Sequence, residues 1–188
     1  MAGLKEKVAA STAAMMLLLA SLPDDEGVRY TPYKDVGGVL TVCYGHTGSD
    51  IVMKTYSKKE CLDLLEIDTQ RHMKRVQSCM TRVPTAYQLA GFSSMDFNTG
   101  GWCGSRSMRE FNLGHDRESC RAMAYGPSGQ KVWGYVNGIF WDAIHKRRIS
   151  MRLFFRQIYI FGMSRICLYL LYPDTLKLVH WFPACFVI

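Results

Sequence analysis

Several patterns that define whole classes of protein are missing from this sequence. No internal repeat is apparent, and the composition indicates neither disorder, collagen nor a coiled coil. The seven cysteines include no Cys-x-x-C pair, and no Cys/His spacing suits zinc. We therefore predict no metal and no cofactor. The 188 residues, 48% of them hydrophobic, suffice for one domain, or for one domain with a small satellite lobe.

A concentrated basic region is also missing, although the formal net charge is +7. A basic surface favours anionic partners such as nucleic acid, anionic membrane or the acidic polymers of bacterial walls. The tightest cationic cluster is only Lys146-Arg147-Arg148, and no nucleic-acid-binding motif accompanies it. We interpret the charge as solvated surface and predict no nucleic-acid partner.

The odd number of cysteines means that at least one thiol lacks a partner within the chain. Seven cysteines without a metal motif favour an oxidising compartment, where disulfides persist. The alternative is that several of them are small, buried apolar residues.

Both ends of the sequence are apolar, but neither end has the long uninterrupted apolar run that is typical of a transmembrane helix. Residues 8–22, VAASTAAMMLLLASL, fall short of the roughly 20 apolar residues that span a bilayer. This segment has the length of a signal-peptide core, and a buried helix of the fold is the alternative. Arg156 and Arg165 interrupt the second apolar region, each at a cost of roughly 2.5–3.5 kcal/mol at a bilayer centre. We assign no function to that tail.

Local patterns predict a small sheet followed mainly by helices. Residues 28–46 indicate a β-hairpin that turns at Gly37-Gly38. Ser57 and Glu60 form a capping box, and apolar spacing then predicts a helix over 58–76. The residues expected on its buried face are Leu62, Leu65, Thr69, Met73 and Val76.

Further along, a helix is predicted from Thr85 to Phe97, ended by the polar and glycine residues 98–101. Asp116 is predicted to cap a helix over 117–124, and a last helix to begin near residue 141. The expected class is α+β, with a small N-terminal antiparallel hairpin lobe and a larger helical lobe.

Two carboxylates and a threonine stand at a suggestive spacing in the hairpin region. Eight residues separate Glu26 from Asp35, and five separate Asp35 from Thr41. Glycoside hydrolysis needs one carboxyl group to protonate the leaving oxygen and a second to activate water or attack the sugar. Many proteins have two carboxylates at this separation by chance, so the spacing alone is weak evidence.

The segment EGVRYTPYKDVGGVLTVCYGHTG, residues 26–48, resembles the catalytic hairpin of phage lysozymes, the glycoside hydrolases of family 24. It is most similar to the endolysins of lambdoid phages. The family's Glu-(eight)-Asp-(five)-Thr motif falls on Glu26, Asp35 and Thr41 without a gap. The resemblance implies a lysozyme-like fold and an enzyme that cleaves peptidoglycan strands. In that chemistry Glu26 is the general acid, Asp35 the base towards water and Thr41 its orienting group, with inversion at the anomeric carbon.

Two later segments extend the resemblance. Phe97-Asn98-Thr99-Gly100 is similar to the family's F-N-x-G segment beside the cleft, which implies substrate binding by Asn98 and Gly100. Trp133-x-Tyr135-x-x-Gly138, followed by Arg147-Arg148, resembles the closing signature of the family. That similarity implies a place for Arg147 near the glutamate and the substrate, and a solvated helix face is the alternative. His46 could be a third catalytic group, but we favour a structural role.

The similarity covers residues 24–150, and nothing from about 153 onward matches the family. The family's R-R-x-x-E continuation is also absent, since Arg147-Arg148 is followed by Ile149-Ser150-Met151. We therefore divide the chain into an anchor-like segment 1–23, a catalytic domain 24–152 and an unassigned apolar tail 153–188.

The resemblance also implies a route of export. Some lambdoid endolysins carry a signal-anchor-release segment, which tethers an inactive enzyme to the inner membrane and later escapes. Segment 8–22 resembles this design, so we expect transient inner-membrane association, export to the periplasm and a monomeric enzyme. Cleavage near Ala20 would remove the helix that leads into Glu26. Cysteine pairs also occur in such relatives, and Cys43 with Cys61 is the candidate pair here.

Three alternatives to an active muramidase remain. A lytic transglycosylase also uses a glutamate, but it needs no aspartate to activate water, and its 1,6-anhydro product would identify it. The atypical tail favours a second alternative, an inactive prophage remnant that binds peptidoglycan or membrane. A basic nucleic-acid binder would need a motif or a basic face that this sequence lacks.

Overall fold

A computed structural model describes residues 2–35, 37–136, 138–140, 142 and 144–146. For residues 2–8, 24–26 and 136 it describes the backbone alone. Three predictions therefore fall on residues outside the described part of the chain. They concern Arg147, most of the helix expected from residue 141, and the tail 153–188.

The apolar segment near the N-terminus forms part of helix α1, Ala2–Glu26. Ala14, Leu18 and Leu22 repeat every four residues and are buried at 0–2% exposure, so one face of the helix packs into the core. That face lies against two later helices, which are the elements α1 contacts most. Among the described residues, no helix combines the length and apolarity needed to cross a membrane.

The predicted hairpin is confirmed. Strands β1 (Arg29–Lys34) and β2 (Leu40–Cys43) pair antiparallel, with Tyr33 opposite Thr41. A short third strand, β3 (His46–Thr47), pairs with the other edge of β2, so the spatial order is β1-β2-β3. The turn contains Gly38 at φ +80°, a backbone conformation that glycine adopts without a steric penalty.

Helix α2, Lys58–Ser78, begins at the predicted capping box. The Ser57 hydroxyl accepts the Glu60 N–H, and the Glu60 carboxylate accepts the Ser57 N–H at 2.7 Å. The predicted inner face is right for the later positions but wrong at Leu62, which is 40% exposed. Cys61 occupies the inward position instead because a disulfide attaches it to Cys43 of the sheet.

Helix α3, Ala86–Thr99, confirms the second helix prediction. A second capping box, Thr85 with Gln88, begins it, and Gly100 at φ +71° ends it. Three short helices follow, a 3₁₀ helix Trp102–Gly104, α4 (Arg106–Asn112) and α5 (Asp116–Ala122). A small hairpin of β4 (Tyr135–Val136) and β5 (Ile139–Phe140) comes next.

The helix predicted over 117–124 is present as α5, but the prediction that Asp116 caps it is wrong. Asp116 is the first helical residue of α5, and His115 precedes it at the cap position. The Asp116 carboxylate instead receives two hydrogen bonds from the guanidinium of Arg82, at 2.7 and 3.2 Å. A long-range ion pair therefore takes the oxygen atoms that a local cap would need.

Two disulfides join α2 to its surroundings. The bond between Cys43 and Cys61 connects β2 to the first turn of α2, which confirms the candidate pair. A second bond, Cys79 to Cys103, connects the end of α2 to the 3₁₀ helix. Since α2 also packs along α3, it is the central element between the sheet and the helical part of an α+β fold.

Candidate active site

The hairpin turn holds the carboxylate of Asp35 by backbone hydrogen bonds. Its Oδ1 accepts the N–H groups of Gly37 and Val39, both at 2.8 Å. The Asp35 backbone N–H also donates to the Val39 carbonyl at 2.9 Å, which closes the turn. An added Cβ at Gly37 would stand 3.3 Å from the same Oδ1. The glycine therefore allows the carboxylate to fold back over the turn.

Thr41 lies on β2, two residues beyond the turn, and only 3% of it is exposed. Its hydroxyl donates to the carbonyl of Val39 at 3.0 Å. The backbone of Val39 thus binds both residues. Its N–H donates to the Asp35 carboxylate, and its carbonyl accepts the Asp35 N–H and the Thr41 hydroxyl. The hairpin brings the second and third residues of the motif together, as the sequence predicts.

Glu26 is the last residue of α1, so the motif begins where a helix meets the sheet. Gly27 follows at φ +65°, and its N–H donates to the Pro23 carbonyl at 3.2 Å. This bond closes the helix end, and two residues later β1 begins. The backbone of Glu26 is therefore placed at the junction of α1 and the hairpin.

His46 lies on β3 between two carboxylates. Its Nδ1 is 2.8 Å from Asp68 Oδ2 on α2, and its Nε2 is 3.2 Å from Asp50 Oδ1. The guanidinium of Arg71 donates to the other oxygen of Asp68 at 2.6 Å. Because both ring nitrogens are engaged and the residue is 5% exposed, the placement agrees with the structural role that we favoured.

The pKa of Asp50 lies below its ordinary value. The largest cause is a hydrogen bond with its own backbone N–H, and the hydrogen bond with His46 is the next. The side chain is 66% exposed, so water screens this ion pair.

The two predicted substrate-binding residues that the structure describes lie at the end of α3. Asn98 is in the last turn and is exposed, and Gly100 caps the helix. The Gly100 carbonyl accepts a hydrogen bond from Arg75 of α2 at 2.9 Å. Helix α2 thus contacts both the hairpin that carries Asp35 and the segment that carries Asn98.

Sequence reasoning missed the charged residues on the inner side of α2 and α3. Asp68 is 2% exposed, and its Oδ2 lies 2.8 Å from Nδ1 of His46. Asp96 is fully buried, and its Oδ2 lies 2.8 Å from Nδ1 of His72. A signal was present, because Asp68 occupies an inward position in the apolar spacing of α2. A charged residue at such a position predicts a buried partner.

Comparison with known proteins identifies relatives over most of this chain. The Phage lysozyme family profile matches residues 24–150. A SAR-endolysin of Escherichia phage Mu is 36% identical over 126 residues, which cover 65% of this chain and 69% of the relative. A SAR-endolysin of Enterobacteria phage P21 is 34% identical over 126 residues, covering 65% of this chain and 72% of the relative.

Solved structures share the fold at lower identity. The muramidase domain of SpmX from Asticaccaulis excentricus superposes with a TM-score of 0.64 at 22% identity, covering 74% of this chain and 94% of that domain. The active form of the P1 phage endolysin Lyz superposes with a TM-score of 0.62 at 16% identity, covering 78% of this chain and 85% of that protein. The fold, the hairpin geometry and the family match over residues 24–150 lead to one conclusion. This chain belongs to the phage lysozyme family.

Proposed function

We propose that this chain is an endolysin that hydrolyses the β-1,4 bond between N-acetylmuramic acid and N-acetylglucosamine in peptidoglycan. The observation that carries the proposal is the hairpin, in which Val39 holds the Asp35 carboxylate and the Thr41 hydroxyl together. The family match and the endolysin relatives support a glycoside hydrolase. They favour an active enzyme over a prophage remnant.

Glu26 supplies the acid in this proposal. Glycosidic bond cleavage needs a proton on the leaving oxygen, and a carboxyl group that stays protonated near neutral pH can deliver it. The position of Glu26 at the end of α1, directly before the hairpin, supports this role because the two carboxyl groups can then lie on opposite sides of a sugar. The separation typical of an inverting pair is about 6.5–9.5 Å.

Asp35 and Thr41 together activate the attacking water. Both described hydrogen bonds to the Asp35 carboxylate end on Oδ1, which leaves Oδ2 to take a proton from the water. The Thr41 hydroxyl uses its own proton on the Val39 carbonyl. Its oxygen can therefore accept the second hydrogen of the same water and orient it. Attack from this face inverts the configuration at the anomeric carbon.

The remaining residues bind the glycan. Asn98 and Gly100, at the end of α3, and Arg147, within the family match, contribute to the cleft. Residues 24–152 form the catalytic domain in this proposal, and residues 153–188 are an appended tail without an assigned role.

Lysis of outer-membrane-stripped Gram-negative cells tests the function directly. We expect the purified parent to clear the suspension, and Glu26→Gln and Asp35→Asn to lower the rate by about 10²- to 10⁴-fold, since each loses a proton-transfer group. Asp63→Asn is the matched control because this α2 carboxylate is 55% exposed and pairs with Lys59. A folded parent without activity contradicts the function, and an unchanged Glu26→Gln contradicts the choice of acid.

The stereochemistry has its own measurement. Proton NMR of a defined glycan during the first turnovers should show the α-anomer at the new reducing end, before mutarotation. Appearance of the β-anomer first would mean that Asp35 attacks the sugar rather than water. A 1,6-anhydro product, detected by mass, would instead identify a transglycosylase.

We also propose that the chain reaches the periplasm by way of a temporary inner-membrane anchor. The SAR-endolysin relatives support export. In this scheme residues 8–22 are first inserted in the membrane and later form α1, where Ala14, Leu18 and Leu22 pack into the core of a monomer. Fractionation over time should find the protein first in the membrane pellet and later in the periplasm. Protein that stays in the cytoplasm throughout would contradict the anchor.

A further inference from the structure

A fully buried carboxylate lies in α3, just before the segment with the predicted substrate-binding residues. Asp96 is 0% exposed, and its Oδ2 lies 2.8 Å from Nδ1 of His72 and 3.3 Å from Nη1 of Arg75. Both basic residues are on α2, about one turn apart. The ring of His72 also packs against Phe97, with the ring centroids 5.1 Å apart. The cluster therefore joins α2 to the end of α3 by charge and by packing.

The surroundings keep Asp96 ionised. Burial by itself raises the pKa of this carboxyl group. The hydrogen bonds from His72 and from the Trp102 backbone N–H, together with the charge of Arg75, outweigh burial and lower the pKa. An ionised carboxylate accepts stronger hydrogen bonds than a neutral group does, so its partners are held firmly.

The same cluster fixes the backbone that follows α3. Asp96 Oδ1 accepts the N–H of Trp102 at 2.9 Å, and the Asp96 carbonyl accepts the N–H of Gly100 at 2.7 Å. Arg75 Nη1 donates to the Gly100 carbonyl at 2.9 Å. Apart from the backbone bond that ends the helix, the side chains of Asp96 and Arg75 thus hold the chain at Trp102 and Gly100, and Asn98 lies two residues before Gly100.

We infer that Asp96, His72 and Arg75 form a positioning cluster, which holds the Asn98–Gly100 segment in the conformation that binds the glycan. None of the three has to touch the substrate or the reacting atoms. The inference rests on the proposed function, because that proposal places Asn98 and Gly100 in the cleft. A loosened segment must be ordered again when it binds, and this ordering costs free energy of association, so glycan binding should weaken measurably.

Arg75→Met is the first test, with Arg71→Met as its matched control. Each arginine is partly exposed, 41% for Arg75 and 50% for Arg71, and each binds a buried aspartate. The described hydrogen bond of Arg71 goes to Asp68, whereas Arg75 also holds the Gly100 carbonyl. On soluble glycan strands, Arg75→Met should raise KM by roughly tenfold with kcat changed by less than about twofold. Arg71→Met should leave both constants within about twofold of the parent.

Two further variants separate positioning from general stabilisation. Asp96→Asn keeps the shape of the side chain but removes its charge, and it should raise KM as Arg75→Met does. Arg75→Lys keeps a cation beside Asp96 but replaces the rigid guanidinium, whose Nη1 donates to both acceptors, with an ammonium group on a flexible stem. It should therefore reverse only part of the KM increase. A merely stabilising cluster would lower the active fraction and hence kcat. Equal KM changes in Arg75→Met and Arg71→Met, or an unchanged KM in Arg75→Met, would overturn the inference.

The experiment distinguishes a failure of the positioning cluster from a failure of the proposed muramidase activity. A parent that releases product with the expected KM pattern supports both, and a parent that is active without this pattern overturns the cluster alone. If the folded parent releases no product, calorimetric titration with the same glycan strands still tests the cluster. Binding by Arg75→Met should then be roughly tenfold weaker than binding by the parent, and equal affinities would overturn the inference.

Discussion

The two halves of α2 are attached in similar ways to different parts of the molecule. The first half is joined to the sheet by the Cys43–Cys61 disulfide and by the contact between His46 and Asp68. The second half is joined to the elements after it by another disulfide, Cys79–Cys103, and by another histidine–aspartate contact, His72 with Asp96. In both contacts nitrogen and oxygen lie 2.8 Å apart, and an arginine of α2 approaches the same carboxylate.

The difference lies in what each cluster holds. At the sheet end, Asp68 binds the side chains of His46 and Arg71. At the α3 end, Asp96 and Arg75 also bind backbone groups of Gly100 and Trp102. The cluster of Asp68, His46 and Arg71 therefore joins α2 to β3 through side chains alone. The second cluster also holds the turn that follows Asn98 and Gly100, the residues that the resemblance to the family places beside the substrate.

Removing each buried carboxylate should give the largest effects and should separate the two clusters. Breaking a buried pair costs about 3–5 kcal/mol of unfolding free energy, so Asp68→Ala and Asp96→Ala should both fall in this range. Asp96→Ala should cost roughly 1 kcal/mol more, because the buried N–H of Trp102 loses its acceptor. Urea denaturation followed by fluorescence measures both values. Equal losses would mean that the backbone bonds add nothing and that the two clusters are equivalent.

Removing each disulfide should have a smaller effect on stability but a clear effect on function. The two bonds close loops with sequence separations of 18 and 24, so each is expected to contribute about 3 kcal/mol. The double variant Cys43→Ala/Cys61→Ala should mainly lower kcat, since β2 carries Thr41. Cys79→Ala/Cys103→Ala should mainly raise KM, since it frees the 3₁₀ helix after Gly100. Steady-state kinetics on soluble glycan, at a temperature where all variants are folded, would contradict this division if both variants changed the same constant.

The pH dependence of stability gives the smallest effect and compares a buried carboxylate with an exposed one. The pKa values of Asp96 and Asp50 are both below the ordinary value of 3.8. Each folded-state pKa is therefore lower than the unfolded-state pKa, so the stabilisation is present above about pH 4 and is lost as the pH falls through the folded-state value. Asp96→Asn should lose a measurable part of the acid dependence between pH 5 and pH 2 that the parent shows, in denaturation curves taken at several pH values.

The exposed partner provides the control for this measurement. Asp50→Asn should leave the acid dependence nearly unchanged, because the Asp50 side chain is 66% exposed and solvent screens its contact with His46. Identical curves for the parent and Asp96→Asn would mean that the buried carboxylate is not held in its ionised form.

The local elements of this fold were predictable because their signals lie within a few residues of one another. The Ser57–Glu60 capping box and the glycine turn of the hairpin were both predicted and are both present. The Leu62 prediction failed because periodicity alone does not separate neighbouring positions at the edge of a helix face. The disulfide to Cys43 of the sheet places Cys61, rather than Leu62, on the buried face of α2.

The candidate site was likewise predictable where its residues are close in sequence. The motif and the resemblance predicted that Asp35 and Thr41 share one hairpin, which the structure confirms. They did not predict that a single residue, Val39, binds both of them. The pair of His72 and the buried Asp96 was not predicted either, since 23 residues separate its members and no local pattern connects them.

By itself, the sequence determined the resemblance to the family, the hairpin, the helices α2 and α3, and the spacing of Glu26, Asp35 and Thr41. Short-range physics suffices for the hairpin and the helices, because capping, turn formation and periodicity depend on neighbours along the chain, whereas the family came from the resemblance. Only the tertiary structure decided which charged residues are buried and which side chains hold the turn after α3. Those outcomes depend on groups that are distant in sequence and that meet only when α2 packs between the sheet and α3.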